Sequence, residues 1–229
     1  MQILTPRSPA VSAPRNGCSQ PAAEQYYYSL VHWLRAMGDL SGIAPKSIGV
    51  TGCGPGAGVS TVASNLAIAA ADIGDQPVLL LDLSVGRASA SARFRMTGDL
   101  GLHDALANSR VAACYAKPTP VPNLSLLGTN SVADAQMANV DSTKVNDLMR
   151  SLENEFGFIV VDMPTVESSL CFVTAGLLNG VLLVIEAERT RLETAARAKQ
   201  RLIDARANVL GVILNKYSQH LPNWLDARV

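Results

Sequence analysis

The sequence predicts an α/β fold with three layers, in which a mostly parallel β-sheet is covered by helices on both faces. Three observations predict this fold class. Short apolar runs rich in Val, Ile and Leu recur along the chain, segments with helical spacing separate them, and glycine or polar residues follow the ends of several runs. Because the carboxyl ends of parallel strands lie at one edge of a sheet, we expect the functional site at that edge.

The predicted strands are apolar runs with almost no charge, as expected for strands that are buried on both faces. In chain order they are SIGVT (47–51), PVLLLDL (77–83), NLSLLG (123–128), FIVVDMP (158–164), GVLLVIEA (180–187) and NVLGVILNK (208–216). Three of them carry a polar side chain near their carboxyl end, namely Asp82, Asp162 and Asn215. These side chains should meet at the same edge of the sheet.

The predicted helices show apolar residues at helical spacing or a high content of small residues. They are AEQYYYSLVHWLRAM (23–37), STVASNLAIAAADIG (60–74), LGLHDAL (100–106), DSTKVNDLMRSLENEFG (141–157) and RTRLETAARAKQRLIDAR (189–206). Gly74 is expected to end the second helix, and Asp141 or Ser142 to cap the fourth. The last helix is amphipathic, with mixed charges on its outer face.

The composition indicates a globular protein with one main domain. The 229 residues are 48% apolar and 17% charged, and the 19 Lys and Arg balance the 19 Asp and Glu. A net charge of zero supplies no basic field, so no nucleic-acid partner is expected. Residues 1–22, rich in Pro, Ser, Ala and Arg, predict a flexible N-terminal arm, and residues 23–229 are predicted to form the single domain.

The cysteine pattern and the N-terminal sequence favour the cytoplasm. The four cysteines are scattered without a Cys-x-x-Cys pair, and the N-terminus lacks the apolar core of a signal peptide. The uncharged segment 47–71 is long enough to span a bilayer. Its glycines and Pro55 instead favour a buried strand, a loop and a helix in succession.

The stretch TGCGPGAGVST (51–61) has the features of a phosphate-binding loop. Its glycines allow the backbone to curl until successive N–H groups point into one concavity, beside the positive end of the helix that begins near Ser60. A tight strand-to-helix turn without a ligand is the alternative. The residues predicted to bind a nucleotide are Gly54, Gly56, Ala57, Gly58, Val59, Ser60 and Thr61.

Two aspartates at strand ends complete the predicted site. Ser60 stands where a phosphate loop places its magnesium-binding hydroxyl, and Asp162 is placed to hold that Mg²⁺ through water. Asp82 is predicted to orient or activate a nucleophile. The candidate catalytic residues are therefore Asp82 and Asp162, and the candidate metal site is formed by Ser60 and Asp162.

Six segments follow the order of a known family: VTGCGPGAGVSTVASNLA, VLLLDLSVGRASASARF, GLHDALAN, VPNLSLLGTN, FGFIVVDMPTV and GVILNK. Over about residues 23–217 the chain resembles the cytoplasmic kinase module of bacterial tyrosine kinases of capsule and exopolysaccharide synthesis, in the MinD/ParA class of P-loop ATPases. The resemblance implies a P-loop NTPase-like fold, ATP or ADP with Mg²⁺ as cofactors, and an adenine contact by Asn215. It also implies a membrane chain-length-determinant protein as partner.

The chain departs from this family at three charged positions, two of which carry a lysine in the family. Val59 replaces the lysine before the last Ser/Thr pair, Gly54 replaces a second lysine that the class often has, and Ser84 replaces an acidic residue. One charge-assisted hydrogen bond contributes about 1.5–3 kcal/mol, so its loss should weaken nucleotide binding roughly ten- to a hundredfold. Phosphoryl transfer should suffer more, because it depends on a positioned cation.

We therefore expect a tyrosine-kinase-like protein, weak or inactive as a kinase, that regulates exopolysaccharide or capsule synthesis through its membrane partner. It would lie in the cytoplasm or at the inner face of the membrane, and a homo-oligomer fits this role. Three alternatives stay open. They are an active kinase or ATPase that uses Arg87 or Lys216 as a substitute cation, a MinD/ParA-like positioning ATPase, and a scaffold that binds no nucleotide.

Overall fold

The computed structural model describes residues 20–41, 45–84, 90–96, 101–128 and 141–217. The helices are α1 (Gln20–Ser41), α2 (Val59–Ile73), α3 (Ala90–Arg93), α4 (Leu102–Ala107), α5 (Ser142–Glu155), α6 (Ser169–Ala175) and α7 (Leu192–Asp204), with a 3₁₀ segment at Ser109–Tyr115. The strands are β1 (Ser47–Gly52), β2 (Val78–Asp82), β3 (Lys117–Pro118), β4 (Leu124–Leu127), β5 (Phe158–Asp162), β6 (Gly180–Glu186) and β7 (Val209–Asn215).

The described strands form one seven-stranded sheet in the order β3-β4-β2-β5-β1-β6-β7. All neighbouring pairs are parallel except β3–β4, which is antiparallel at one edge. The predicted fold class, a mostly parallel sheet with flanking helices, is confirmed.

Each face of the sheet packs against its own helical layer. One apolar core joins the sheet to α1 and α2, and a second joins it to α4, α5, α6 and α7. Neighbouring residues of β2 point to opposite faces, so Leu80 lies in the first core while Leu79 and Leu81 lie in the second. All three are almost completely buried, and each fully buried leucine contributes about 1.5–3 kcal/mol.

Helix α2 lies between the sheet and α1, which explains its many small residues. Ala63, Ala67 and Ala70 are fully buried there, and alanine allows close approach of two elements while keeping high helix propensity. The helix ends at Ile73, and the amide of Gly74 donates to the carbonyl of Ala70. Gly74 thus ends α2 as predicted.

The N-terminus of α5 is capped by Asp141, whose side chain accepts a hydrogen bond of 3.0 Å from the amide of Thr143. This confirms the predicted cap. Segment 47–71 is β1, a loop and part of α2, as predicted. Among the described residues, no helix combines the length and the apolar character needed to cross a membrane.

The sequence missed several short elements, namely α3, β3, α6 and the 3₁₀ segment. They span only two to seven residues, too few for a periodic pattern to show. Helix α7 begins at Leu192, not at residue 189, because residues 187–190 form a turn in which Thr190 N–H donates to the Glu186 carbonyl. Most of the predicted arm, Arg87 and the tail after residue 217 lie outside the described residues.

Candidate functional site

The predicted polar strand ends meet at one edge of the sheet. Asp82 at the end of β2 lies directly beside Asp162 at the end of β5. Strand β1 is the next neighbour of β5, and Gly52 ends it at the same edge. Asn215 ends β7, beside Glu186 of β6. The parallel topology therefore brings together side chains that are far apart in the sequence.

The segment after β1 is a tight turn that leads into α2. Gly56 and Gly58 adopt positive φ angles of 81° and 91°, in the left-handed region that favours glycine. A side chain at Gly58 would also collide with the side-chain amide of Asn215, whereas a Cβ at Gly54 would meet nothing within 4 Å. Residues 53–58 therefore curl, as a phosphate-binding loop requires.

The amides of this loop have no internal acceptor. Within the described residues, no hydrogen bond is donated by the backbone N–H of Gly54, Gly56, Ala57 or Gly58. The first amides of α2, from Val59 to Thr61, are the unpaired donors that every helix has at its N-terminus. A group of unpaired amides beside the positive end of a helix of 15 residues is a favourable environment for an anion.

The end of β7 holds the loop in shape. The side-chain amide of Asn215 donates to the carbonyl of Ala57 at 2.8 Å, and the ammonium of Lys216 donates to the carbonyl of Gly56 at 2.6 Å. Lys216 also forms an ion pair of 3.1 Å with Glu186. Two consecutive residues thus bind two consecutive loop carbonyls, a contact that the sequence analysis did not predict. The predicted adenine contact of Asn215 stays a prediction.

Val59 turns its side chain toward the protein. A Cβ added at Gly52 would lie 2.8 Å from Val59 Cγ2, so the valine covers the end of β1. It is partly buried against the core that joins the sheet to α1 and α2. It is the first residue of α2, one position before the predicted helix start at Ser60, and it brings an apolar surface where a lysine would bring a positive charge.

Asp162 is a buried carboxylate with an unusual environment. The residue is completely buried, and among the described residues neither carboxylate oxygen has a partner in hydrogen-bond geometry. Burial, followed by the charge of Asp82, raises the pKa of Asp162 to about 7. The nearby Ser60 and Ser84 hydroxyls and the Ala90 amide oppose this rise but do not cancel it. Such an unpaired buried carboxylate fits an environment built for a cation.

Asp82 has a different role in this structure. Its carboxylate accepts hydrogen bonds from the amide of Ser84 at 3.0 Å, from the amide of Ser91 at 2.8 Å and from the Ser91 hydroxyl at 2.6 Å. The buried side chain therefore anchors α3 to the end of β2. The predicted activation of a nucleophile by Asp82 stays a prediction, and a nucleophile would compete with these bonds.

The sequence analysis named Lys216 and Arg87 as possible substitutes for the lysine that position 59 lacks. Lys216 contacts the loop itself, while Arg87 lies outside the described residues. Lys46 lies at the opposite end of β1, with its ammonium 3.3 Å from the Glu153 carbonyl. The sequence analysis missed Arg93, whose guanidinium lies 3.3 Å from the hydroxyl of Thr61. No sequence pattern marked it, because its position depends on the short helix α3.

A cavity of about 420 Å³ opens beside the loop, on the side of β6 and α7. Its lining residues are Cys53, Gly54, Pro55, Ala57, Glu186, Arg189, Thr190, Arg191 and Thr194. The sequence analysis treated Arg189 and Arg191 as part of a solvated helix face. The strand order explains this position: β6 is the neighbour of β1, so the segment after β6 lies beside the loop after β1. The sequence analysis did not use this relation.

The chain has relatives among bacterial tyrosine kinases. It is 26% identical over 205 residues to tyrosine-protein kinase CpsD of Streptococcus agalactiae, and the alignment covers 89% of this chain and 86% of CpsD. No family model matches the chain.

Solved structures with a similar fold include a tyrosine-kinase domain and a MinD protein. The kinase domain of the Escherichia coli tyrosine kinase ETK matches with a TM-score of 0.75 at 21% identity, over 93% of this chain and 83% of that domain. The septum site-determining protein MinD from Pyrococcus horikoshii, solved with Mg-ADP, matches with a TM-score of 0.64 at 24% identity, over 79% of this chain and 75% of MinD.

The chain has the fold of a class of proteins that includes bacterial tyrosine-kinase domains and MinD proteins. Within that class, the chain is related in sequence to the bacterial tyrosine-protein kinases. The resemblance stated from the sequence is confirmed.

Proposed function

We propose that this protein is a nucleotide-binding, tyrosine-kinase-like regulator of exopolysaccharide or capsule synthesis whose capacity for phosphoryl transfer is weak or lost. The observation that carries the proposal is the loop between β1 and α2. It has the curvature and the unpaired amides of a phosphate cradle, while an apolar side chain occupies position 59. An anion is therefore bound mainly by backbone dipoles.

The cofactors we propose are ATP or ADP with Mg²⁺. Hard oxygen donors suit Mg²⁺, and the Ser60 hydroxyl and the unpaired Asp162 carboxylate are the candidates at this edge. No cluster of three or more His, Cys, Asp or Glu side chains occurs in the described part of the chain. Phosphate oxygens and water would complete the coordination, with Asp162 acting through water. The bound cation would stabilise charge on the phosphates and offset the burial cost of the Asp162 carboxylate.

Weak catalysis follows from the environment of Val59. Phosphoryl transfer is accelerated by positive charge held in place against the charge that develops in the transition state. The valine supplies no charge and packs on Gly52. Backbone amides would still bind the nucleotide, so binding should survive better than turnover.

A second candidate function is an active kinase or ATPase in which Lys216 is the substitute cation. The position of its ammonium, 2.6 Å from the Gly56 carbonyl, favours this candidate. The ion pair with Glu186 argues against this candidate, because the glutamate neutralises the charge of Lys216 and holds its ammonium in place. A Lys216→Met variant that loses all Mg-ATP turnover, while Val59→Lys gains none, would establish this candidate.

The partner and the location are proposed from the resemblance. A membrane chain-length-determinant protein would recruit the chain to the inner face of the membrane, and nucleotide binding would regulate that contact. Co-expression with such a protein from the same organism, followed by co-purification in detergent with and without Mg-ADP, tests this step. Absence of co-purification in both conditions would contradict it.

Isothermal titration of Mg-ADP and Mg-ATP into the natural protein and a Val59→Lys variant tests the proposed function. We expect measurable binding by the natural protein and binding about ten- to a hundredfold tighter by the variant, which regains one charge-assisted contact. Tyrosine phosphorylation and ATP turnover should be low in the natural protein and increase in the variant. Absence of binding by both proteins would contradict the phosphate-cradle geometry. Turnover by the natural protein that Val59→Lys leaves unchanged would contradict the proposed catalytic defect.

A further inference from the structure

Arg93 is the last residue of α3, the short helix that follows β2 at the edge where the loop lies. Helix α3 is fixed to the sheet by the bonds from Ser91 to the buried Asp82 carboxylate. The following residues Phe94 and Met96 pack against the core that joins α1 and α2 to the sheet. The backbone that carries Arg93 is therefore held in place on both sides.

The guanidinium of Arg93 lies along the N-terminal half of α2. One terminal nitrogen donates to the Thr61 hydroxyl and the other to the Asn65 side-chain carbonyl, each at 3.3 Å. Thr61 belongs to the first turn of α2, where the unpaired amides of the cradle lie. The positive charge is thus one side chain away from the proposed phosphate position.

No carboxylate of the described residues forms an ion pair with Arg93. Of the described residues, only Glu186 forms ion pairs, and its partners are Arg189 and Lys216. Both acceptors of Arg93 are neutral, both distances are long for a hydrogen bond, and a guanidinium has further N–H donors to offer. The side chain is exposed, so it can turn toward a ligand without breaking a core contact.

The residues behind Arg93 limit the directions that it can take. Tyr27 of α1 is buried beside the same pair of side chains: burial raises the pKa of the Tyr27 hydroxyl, while a hydrogen bond with Asn65 and the charge of Arg93 lower it. Asn65 and Tyr27 thus form a polar wall on the side of α1. The other partner of the guanidinium, Thr61, lies nearer the N-terminus of α2 than Asn65 does.

We propose that Arg93 binds the phosphate groups of the nucleotide and supplies, from α3, the side-chain cation that position 59 lacks. This inference rests on the proposed nucleotide binding by the loop. A planar guanidinium with several donors is well suited to bidentate contact with phosphate oxygens. Arg93 differs from Lys216 in that no carboxylate competes for its charge among the described side chains. It is a binding residue for the phosphates, and Asn65 is its positioning residue.

The test compares Arg93→Ala, Arg93→Lys and the control Arg150→Ala. Arg150 is exposed on α5, in the opposite helical layer, and its loss changes the net charge equally. The probes are ADP, inorganic pyrophosphate and adenosine, measured by titration calorimetry and, for weak binding, by NMR. We expect Arg93→Ala to weaken ADP and pyrophosphate about tenfold and adenosine not at all, as for loss of one charge-assisted contact. Arg93→Lys should retain part of the affinity, and Arg150→Ala all of it.

Two results would overturn the inference while leaving the proposed function intact. One is equal ADP affinity of Arg93→Ala and Arg150→Ala. The other is an equal loss for adenosine and ADP, which would assign Arg93 to the fold of the site instead of to the phosphates. If the natural protein binds neither ADP nor pyrophosphate, the proposed function itself fails, and the inference fails with it.

Discussion

Asp162 is the residue whose environment departs furthest from that of an ordinary side chain of its type. Its carboxylate is buried beside a second carboxylate, and the described residues offer it no hydrogen-bond donor in good geometry. Burying an unpaired charge costs stability unless the group takes up a proton or a cation. The residue therefore links the stability of the protein to pH and, through the proposed metal site, to Mg²⁺.

The raised pKa of Asp162 predicts a stability that falls as pH rises. The pKa moves from 3.8 to about 7, so between these values the folded state holds a proton that the unfolded chain has released. The contribution of Asp162 to stability is highest below about pH 4, decreases as pH rises toward 7 and is constant above it. Asp162→Asn should remove this decrease and raise the free energy of unfolding at pH 8 by roughly 2–4 kcal/mol.

Urea denaturation at pH 5 and pH 8 without Mg²⁺ measures the effect. Asp147→Asn, at an exposed position on α5, is the control and should behave as the natural protein does. If Asp162→Asn shows the same pH dependence as the natural protein, the carboxylate is not the origin of the effect. Mg-ADP should raise the melting temperature of the natural protein more than that of Asp162→Asn.

Substitution of Asn215 measures how much the end of β7 contributes to the stability of the loop. Asn215→Ala removes the 2.8 Å bond to the Ala57 carbonyl and should lower the free energy of unfolding by about 1–2 kcal/mol, because a buried acceptor loses its donor. Asn208→Ala is the matched control. Its amide also donates to a backbone carbonyl at 2.8 Å, that of Asn179, but in an exposed position just before β7 begins. Equal losses in the two variants would show that the Asn215 contact has no special weight.

Helix α3 shows how an element too short to be predicted positions a functional residue. The sequence correctly placed Asp82 at the end of a buried strand, but its short-range pattern carried no sign of α3 or of the bonds from Ser91. The sequence likewise placed the loop glycines, Asp162 and Asn215 at one edge, because the carboxyl ends of parallel strands lie at the same edge of a sheet. Contacts such as Arg93 to Thr61 depend on tertiary positions that no local spacing encodes.

Ser91→Ala tests whether the bonds from Ser91 to Asp82 hold α3, and with it Arg93, in place. The variant loses the 2.6 Å hydroxyl bond to Asp82 and should lower the free energy of unfolding by about 1 kcal/mol. It should also weaken ADP binding, because α3 is held less firmly. Ser142→Ala is the control, since Ser142 is exposed in the first turn of α5 and its loss leaves the contacts of Asp82 intact. Hydrogen exchange that is unchanged at residues 90–96 in Ser91→Ala would contradict the tether.

At the scale of the whole molecule, the sheet explains why the loop can keep its shape when the side chain at position 59 is not a lysine. The loop, both aspartates and Asn215 are held by strands of one sheet, and its two cores consist mainly of residues outside the site, with contributions from Ala57, Val59 and Cys53. Replacing the usual lysine with Val59 therefore leaves the cradle folded, with the valine packed on Gly52 and the loop carbonyls bound by Asn215 and Lys216. The fold was predictable from the sequence because it depends on the apolar runs of the strands, whereas the loss of catalysis that we propose depends on a single side chain, Val59.

The most direct test of the central claim is an NMR titration of the ¹⁵N-labelled natural protein with inorganic pyrophosphate and with Mg-ADP. If main-chain amides still form an anion cradle, the resonances of Gly54, Gly56, Gly58 and Ser60 should shift in a saturable manner while those at the opposite end of β1, near Lys46, stay constant. The account is contradicted if millimolar pyrophosphate and Mg-ADP leave all of these loop resonances unmoved.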